Sequence, residues 1–157
     1  MIQQFLRIIL INLAFLFVGL FFVELFMGGW IFGQNFGTLV IPKDFKRHYD
    51  VRELYGGNTS KYVRDKHGLR GYYKDVSKID ILTIGGSTTN EIFVSEGETW
   101  SDQLRAAFRK SGRDLVVVNA GVDGQSTIGH LKNFDLWFPK IPNLGARYIL
   151  VYIGIND

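Results

Sequence analysis

A serine that follows two glycines is the first residue in this sequence whose setting suits chemistry. Ser87 stands in the string Gly85-Gly86-Ser87-Thr88, directly after the apolar run 79–84. Glycines allow a tight backbone bend and a close approach of substrate, so the Ser87 hydroxyl and N–H would be exposed at the turn. This setting suits a nucleophile. The alternative is a polar turn that caps a helix or cradles a phosphate through backbone N–H groups.

Two later loops offer hydrogen-bond donors for an oxyanion. Gly121 follows a second apolar run, and its N–H would point at a developing negative charge. Asn156 follows a third apolar run and carries a side-chain amide that could add another donor. Alternatively, Asn119 and Asn156 satisfy backbone groups of their own turns, which is the commonest role of asparagine in loops.

The elements that must position these loops alternate between strand and helix. Apolar runs at 79–84, 115–118 and 148–153 predict strands, and helices are predicted at 100–110 and 128–138. Nearly continuous β-branched runs are typical of parallel strands that are buried on both faces. Ligand sites in such sheets form beyond the carboxyl ends of the strands, so the three loops should meet at one edge. The sequence therefore predicts an α/β domain with three α/β/α layers.

The ends of the predicted helices carry capping signals. Thr99 with Asp102 three residues later predicts the start of the first helix, and Gly112 predicts its end. Pro139 predicts the end of the second helix, because proline cannot continue the hydrogen-bond ladder.

The loops around Ser87, Gly121 and Asn156 resemble the first three sequence blocks of the SGNH hydrolase family, also called GDSL-type esterases. Ser87 and Gly121 are 34 residues apart, and Gly121 and Asn156 are 35 apart, so each interval is one strand–helix–strand step. The sequence departs from many members at Gly86, where they carry aspartate. The resemblance implies a flavodoxin-like fold, Ser87 as nucleophile, and an oxyanion hole made by the N–H groups of Ser87 and Gly121 with the Asn156 side chain. It implies no cofactor and no metal.

The family resemblance also implies a D-x-x-H segment that supplies the general base, and this sequence contains none. The three histidines, His48, His67 and His130, do not match that segment by position, and none is assigned a catalytic role. The chain is therefore expected to be a fragment that lacks the catalytic histidine.

The amino terminus is predicted to anchor the protein in a membrane. Ile8–Val23 is a run of sixteen residues without a charge, and the apolar character extends over residues 8–32 with Glu24 as the exception. A helix of that length exceeds a hydrocarbon core of about 30 Å. A cleaved signal peptide is the competing interpretation. The predicted divisions are an anchor at 1–33, a basic juxtamembrane linker at 34–78 and a partial hydrolase domain at 79–157.

The basic charge of the chain is local. Residues 34–78 contain ten Lys and Arg residues but five Asp and Glu residues, and they show no sustained period. A solvated linker is the first interpretation, contact with anionic lipid headgroups is the second, and nucleic-acid binding is not expected. The positive charges that follow the apolar run favour a domain in the cytoplasm. Anchored members of the family usually work on the outer side of the membrane. The outer side is preferred on the basis of this resemblance. The sequence has no cysteine, which excludes disulfides and thiolate metal sites.

The function predicted from these features is a membrane-anchored serine hydrolase that acts on acyl esters. The resemblance favours O-acetyl esters, carried by a cell-surface glycan or a lipid. Two alternatives remain open at this stage. One is an acyltransferase on the same scaffold, in which a hydroxyl acceptor replaces water, and the other is a membrane-tethered binding module without catalysis.

Overall fold

A computed structural model describes residues 2–28, 39–57 and 59–154 of the protein. The chain divides into two compact units, residues 1–37 and residues 38–157.

The described part of the first unit is one helix, α1, which spans Ile2–Met27. Its apolar side chains are exposed along its whole length, and none of its residues is buried. Among the described residues it is the one helix long and apolar enough to cross a membrane. A signal sequence would meet the same criteria of length and composition.

The second unit is built on a three-stranded parallel sheet. Its strands are β3 (Ile81–Gly85), β4 (Val117–Asn119) and β5 (Tyr148–Tyr152), and their order in the sheet is β4–β3–β5. The first strand of the three is therefore the middle one, with Ile81 opposite Val117 on one side and opposite Tyr148 on the other. The predicted α/β class with a parallel sheet is confirmed.

The middle strand is covered on both faces. Every residue of β3 is buried, as expected for a parallel strand with packed layers above and below it. By contrast, all five residues of β5 are exposed. The main apolar cluster forms around β3 and β4 and comprises Leu69, Ile79, Leu82, Ile84, Val118, Ala120, Trp137, Phe138 and Ile141.

The two long helices of this unit begin and end close to the positions that the sequence predicts. Helix α4 spans Trp100–Lys110, and Thr99 and Asp102 form the predicted capping box at its start. Helix α5 spans Thr127–Leu136, and a 3₁₀ turn that contains Pro139 follows it. The connections run from β3 to β4 and then back past β3 to β5. By the right-handed rule for parallel strands, this order puts α4 and α5 on opposite faces of the sheet.

The segment that the sequence predicted as a connection without regular structure contains an antiparallel hairpin. Strand β1 (Phe45–Asp50) pairs with β2 (Thr59–Arg64), and the short helix α2 (Arg52–Tyr55) lies between them. The backbone then returns to the main sheet, where the N–H and C=O of Arg70 both bond to Asn119 at 2.9 Å. This hairpin was not predicted from the sequence.

The hairpin was missed because its buried positions hold polar residues. In β2, burial alternates strictly at Ser60, Tyr62 and Arg64, which is the two-residue period of a strand. An apolar pattern search does not find this period, because serine and arginine occupy the inward positions. The positive charge of the segment also predicts a solvated linker, whereas Arg64 and Arg70 are each only 1% exposed.

Candidate active site

Ser87 lies on a sharp turn at the carboxyl end of the middle strand. Strand β3 ends at Gly85, and the four-residue helix α3 begins at Ser87 and ends at Asn90. A side chain at Gly85 would collide with Thr89 and with the backbone oxygen of Tyr152, so the turn needs a glycine there. The buried strand thus delivers the exposed Ser87 directly to the rim of the sheet.

The hydroxyl and the N–H of Ser87 have no hydrogen-bond partner among the described residues. Its hydroxyl makes no hydrogen bond to any part of the chain that the structure describes, and its backbone oxygen accepts from the Glu91 N–H at 2.8 Å. The Ser87 N–H belongs to the first turn of α3, where helical N–H groups have no partner inside the helix. Ser87 therefore offers a hydroxyl that could attack a carbonyl and an N–H that could donate to the resulting oxyanion.

A shallow open depression of about 390 Å³ lies next to Ser87. One wall is the segment that follows α3, and the other side is reached by the loop after β4. We call this feature the Ser87 depression, and its lining residues are Ser87, Thr88, Glu91, Ile92, Phe93, Val94 and Asp123.

Gly121 lies in the loop after β4, packed against the Ser87 turn. A Cβ atom at this position would come within 2.7 Å of the Thr89 carbonyl carbon, so only glycine allows the two backbones to approach so closely. The Gly121 N–H donates to Oδ1 of Asn119 at 2.8 Å. Donation from this N–H to an oxyanion, which the sequence predicts, therefore requires the internal bond to be exchanged, and it stays a prediction.

Asn119 performs the alternative role that the sequence analysis assigned to loop asparagines. Its Oδ1 accepts from the Gly121 N–H, and its Nδ2 donates to the backbone oxygen of Thr89 at 2.5 Å. The side chain is fully buried. Asn119 thus connects the loop after β4 to helix α3 and holds the two sides of the site together.

Asn156, the third predicted site residue, lies outside the described residues. Strand β5 pairs with β3 up to Tyr152 opposite Gly85, so both strands end at the edge where Ser87 lies. Gly154 follows with a φ of 104°, a left-handed conformation that favours glycine. The contribution of Asn156 to an oxyanion hole stays a prediction.

No histidine lines the Ser87 depression within the described chain. His48 is exposed on β1, and His130 is buried on α5. His67 lies in a turn, where its N–H donates to Asp65 and its C=O accepts from the Trp137 indole at 2.7 Å.

Two carboxylates take part in the site. Asp123 lines the depression, and its Oδ1 accepts from the Asn90 side chain at 2.9 Å.

The second carboxylate, Glu91, accepts from the Trp100 N–H at 2.8 Å and so also caps the start of α4. Partial burial is the main cause that raises the pKa of Glu91, and the bond from Trp100 and the charge of Arg70 oppose it. Glu91 also has a left-handed backbone with a φ of 51°, a strained conformation of the kind found beside functional sites.

Two buried arginines and a tyrosine behind the site were missed by the sequence analysis. Arg64, Arg70 and Tyr62 are each at most 3% exposed, and they contact the loops on both sides of Ser87. For Tyr62 and Arg64 the signal would be the two-residue period of β2, but it is hidden because the inward residues are polar. Arg70 lies beyond β2 and has no such signal. No group of three metal-binding side chains occurs among the residues for which positions are described.

Comparisons with known proteins give limited similarity. No protein-family model matches the chain, and no match is found among curated proteins. Among solved structures, the chain is similar to AlinE4, described as an SGNH-hydrolase family esterase, with 26% identity and a TM-score of 0.46. One mutant of that esterase gives the same values, and another gives 24% identity and a TM-score of 0.44. Each match covers 55% of this chain and 44% of the esterase, so this chain spans less than half the length of those esterases.

Proposed function

We propose that this protein carries a serine hydrolase site that cleaves acyl esters through an acyl-enzyme on Ser87. One observation carries the proposal. The Ser87 hydroxyl is exposed at the carboxyl end of a buried central strand, on a glycine turn, and makes no hydrogen bond to the described chain. A serine that served only to cap a helix would use its side-chain oxygen for that purpose, as Ser126 does at the start of α5.

The proposed reaction has two steps. The Ser87 oxygen attacks the ester carbonyl, the alcohol leaves with a proton, and the acyl group stays on the serine. Water then attacks the acyl-enzyme and releases the acid, which restores the Ser87 hydroxyl. The N–H groups of Ser87 and Gly121 and the Asn156 side chain are the proposed donors to the oxyanion, and loss of one such donor typically costs about 10²–10³ in rate.

Activation of Ser87 requires a base that accepts its proton at neutral pH. Because none of the three histidines lines the Ser87 depression, we expect this chain by itself to react slowly. Loss of a triad member lowers kcat by up to about 10⁶ in serine hydrolases. A small base supplied from solution should therefore accelerate the reaction at Ser87.

The Ser87 depression is large enough for an acyl group. Its volume of about 390 Å³ and the exposed Phe93 beside it would accommodate an acetyl or a longer acyl chain. We propose O-acetyl esters as the substrate class, because the resemblance to the family favours them. The same resemblance supports a cell-surface glycan or a lipid as the carrier of the ester.

The test is covalent labelling of Ser87 by a fluorophosphonate in the full chain, kept in detergent, with increasing concentrations of imidazole as the external base. We expect slow labelling without imidazole, faster labelling with it, and no labelling of this site in Ser87→Ala. Peptide mapping should place the adduct on Ser87. Labelling at another serine, or an equal rate in the variant, would contradict the proposal.

A second function, a membrane-tethered binding module, is favoured by the absence of a histidine from the Ser87 depression within the described residues. The same experiment separates the two functions. A binding module would leave Ser87 unlabelled at every imidazole concentration, although the chain stays folded.

We further propose that α1 anchors the protein and that the second unit acts on the outer side of the membrane. The apolar exposed surface of α1 supports the anchor, and the family resemblance supports the side. A fusion of alkaline phosphatase after Asp157 should be active in bacterial cells if this side is correct. An inactive fusion that is made at normal levels would place the domain in the cytoplasm.

A further inference from the structure

The two buried arginines behind Ser87 use their donors in different ways. The guanidinium of Arg70 bonds to the segment 90–96, which forms one wall of the Ser87 depression. Its Nη1 donates to the backbone oxygens of Asn90 and of Glu91, the latter at 3.1 Å, and its Nη2 donates to that of Val94 at 3.0 Å. The Glu96 carboxylate accepts from Nε at 2.8 Å, and the same oxygen lies 2.8 Å from Nη2 as an ion-pair contact. All three nitrogen atoms of this guanidinium are thus directed to one short stretch of chain.

Arg64 connects the other side of the site. Its Nη2 donates to Oδ1 of Asn90 at 2.7 Å and to the backbone oxygen of Gly121. Its Nε and Nη1 donate at 2.5 Å to the Tyr62 hydroxyl and to the backbone oxygen of Gly68. The same guanidinium therefore bonds to Asn90, the last residue of helix α3, which begins at Ser87 and which we call the Ser87 helix. It also bonds to the loop that contains Gly121, the Gly121 loop, which packs against that helix.

The charges of the two side chains are balanced differently. Arg70 has Glu96 as an ion-pair partner, and the side chains of both are almost fully buried. Arg64 forms no ion pair with any carboxylate in the described part of the chain, and all its partners there are neutral oxygens. A buried guanidinium without a carboxylate is costly for stability, whereas an apolar side chain of similar size would avoid the cost. Packing alone is therefore a poor explanation for an arginine at this position.

We propose that Arg64 and Arg70 are positioning residues for the Ser87 site, with separate tasks. Arg70 fixes the wall of the depression, segment 90–96, and so sets how substrate binds. Arg64 fixes the Gly121 loop against the Ser87 helix and so sets the geometry in which the oxyanion is held. The hairpin β1–β2 and the turn that follows it thereby become part of the active-site framework. This inference rests on the function proposed for Ser87.

The variants Arg64→Lys and Arg70→Lys test the two tasks. Lysine keeps the positive charge but replaces the planar fork of five donors with a single ammonium group, so it cannot reproduce these bonds. Arg109→Lys is the matched control, because Arg109 forms an exposed ion pair with Asp114 away from the site. All variants are measured as full chains in detergent, with saturating imidazole.

The first readout is the rate of fluorophosphonate labelling of Ser87 as a function of probe concentration, for a short and a long alkyl probe. Arg64→Lys should lower the limiting rate by about 10–100-fold and change the half-saturating concentration little, because it disturbs geometry rather than binding. Arg70→Lys should raise the half-saturating concentration by about 10-fold, more for the long probe, and change the limiting rate less. Arg109→Lys should match the unchanged chain.

The second readout is amide hydrogen exchange, which does not depend on reactivity. Arg64→Lys should accelerate exchange in residues 119–124, and Arg70→Lys should accelerate it in residues 90–96, while β3 stays protected in both. Wild-type kinetics in both variants would overturn the inference. So would an equal loss of all parameters together with a loss of protection in β3, because that pattern describes general destabilisation.

The two proposals fail separately. If the unchanged chain is not labelled at Ser87, the hydrolase function is wrong, and the exchange pattern alone decides whether the arginines position the two loops. Local acceleration in the expected segment then supports positioning, and an unchanged or uniform pattern overturns it.

Discussion

The contact between Gly121 and the Ser87 helix is closer than any other residue type would allow. We predict that Gly121→Ala destabilises the protein by about 1–3 kcal/mol and lowers Ser87 labelling at least about 10-fold, because the new methyl group displaces the backbone at Thr89. Urea denaturation and fluorophosphonate labelling measure the two effects.

Gly112→Ala is the control, because Gly112 has a φ of 79° and open space around its Cα. It should cost about 1 kcal/mol and leave labelling unchanged. Equal labelling in both variants would refute the packing role of Gly121.

A second prediction at this scale concerns the pH dependence that Glu91 gives to stability. Burial raises the pKa of Glu91 above its ordinary value of 4.5, so the folded state disfavours the charged form. The stability that this carboxyl provides is therefore fully present below pH 4.5 and is lost as the pH rises through the raised pKa. Glu91→Gln keeps an oxygen that can accept from Trp100 but removes the charge.

The Tm of Glu91→Gln should therefore exceed that of the unchanged chain at pH 7, and the difference should shrink towards pH 4. Thermal denaturation across this range is the measurement, and Glu53→Gln, at an exposed position on α2, is the control. A difference in Tm that is constant with pH would show that the charge of Glu91 is not responsible.

The residues of the candidate site were only partly predictable. Ser87 could be found because a glycine turn after an apolar run is a local pattern, and β3 delivers it to the rim as expected. Asn119 could be placed in its loop but not connected to Thr89, because that hydrogen bond joins residues 30 positions apart. Arg64 and Arg70 could not be predicted, since their burial depends on acceptors from three separate segments.

At the scale of single elements, the capping box of α4 was predicted and is present. Oγ1 of Thr99 accepts from the Asp102 N–H at 3.2 Å, and the Asp102 carboxylate accepts from the Thr99 N–H. We predict that Thr99→Ala lowers the free energy of unfolding by about 1 kcal/mol, because one N–H of the first turn loses its acceptor.

Thr99→Ser is the matched variant for this prediction, because it keeps the hydroxyl that accepts from Asp102. It should retain most of the stability when both variants are compared in urea denaturation. Equal losses in the two variants would assign the effect to the buried methyl group of Thr99 instead of the cap.

The contrast between α4 and the β1–β2 hairpin shows which elements a single sequence can predict. Helix α4 has an apolar face, a capping box and a closing glycine, so local signals agree over its whole length. In β2 the inward positions are taken by Ser60, Tyr62 and Arg64, whose burial becomes favourable only when distant acceptors are in place. Tertiary contacts therefore determined that element, and local hydrophobicity did not.

At the scale of the whole molecule, α1 should determine where the protein is found. Its 26 residues would extend about 39 Å as a helix, more than the hydrocarbon core of about 30 Å. We predict that the protein remains in the membrane pellet after washing with carbonate or with high salt, because a span is held by apolar burial and not by surface charge.

Immunoblotting of pellet and supernatant measures this distribution, and the mass of the protein in the pellet shows whether the helix is still attached. Release by carbonate with the helix intact would reject the span. A chain shortened by the length of α1 would instead identify a cleaved signal sequence.

The strand order β4–β3–β5 also determines how the sheet can form during synthesis. Because β3 is translated before either neighbour, it must wait for β4 on one edge and then for β5 on the other, after about 30 further residues each time. This apolar strand, with the Ser87 turn at its end, has two open edges until β4 pairs with it and one open edge until β5 does. The nascent chain therefore needs a chaperone most between the synthesis of residues 85 and 148. Rare codons or stalled translation in this interval should reduce the yield of folded protein more than delays elsewhere.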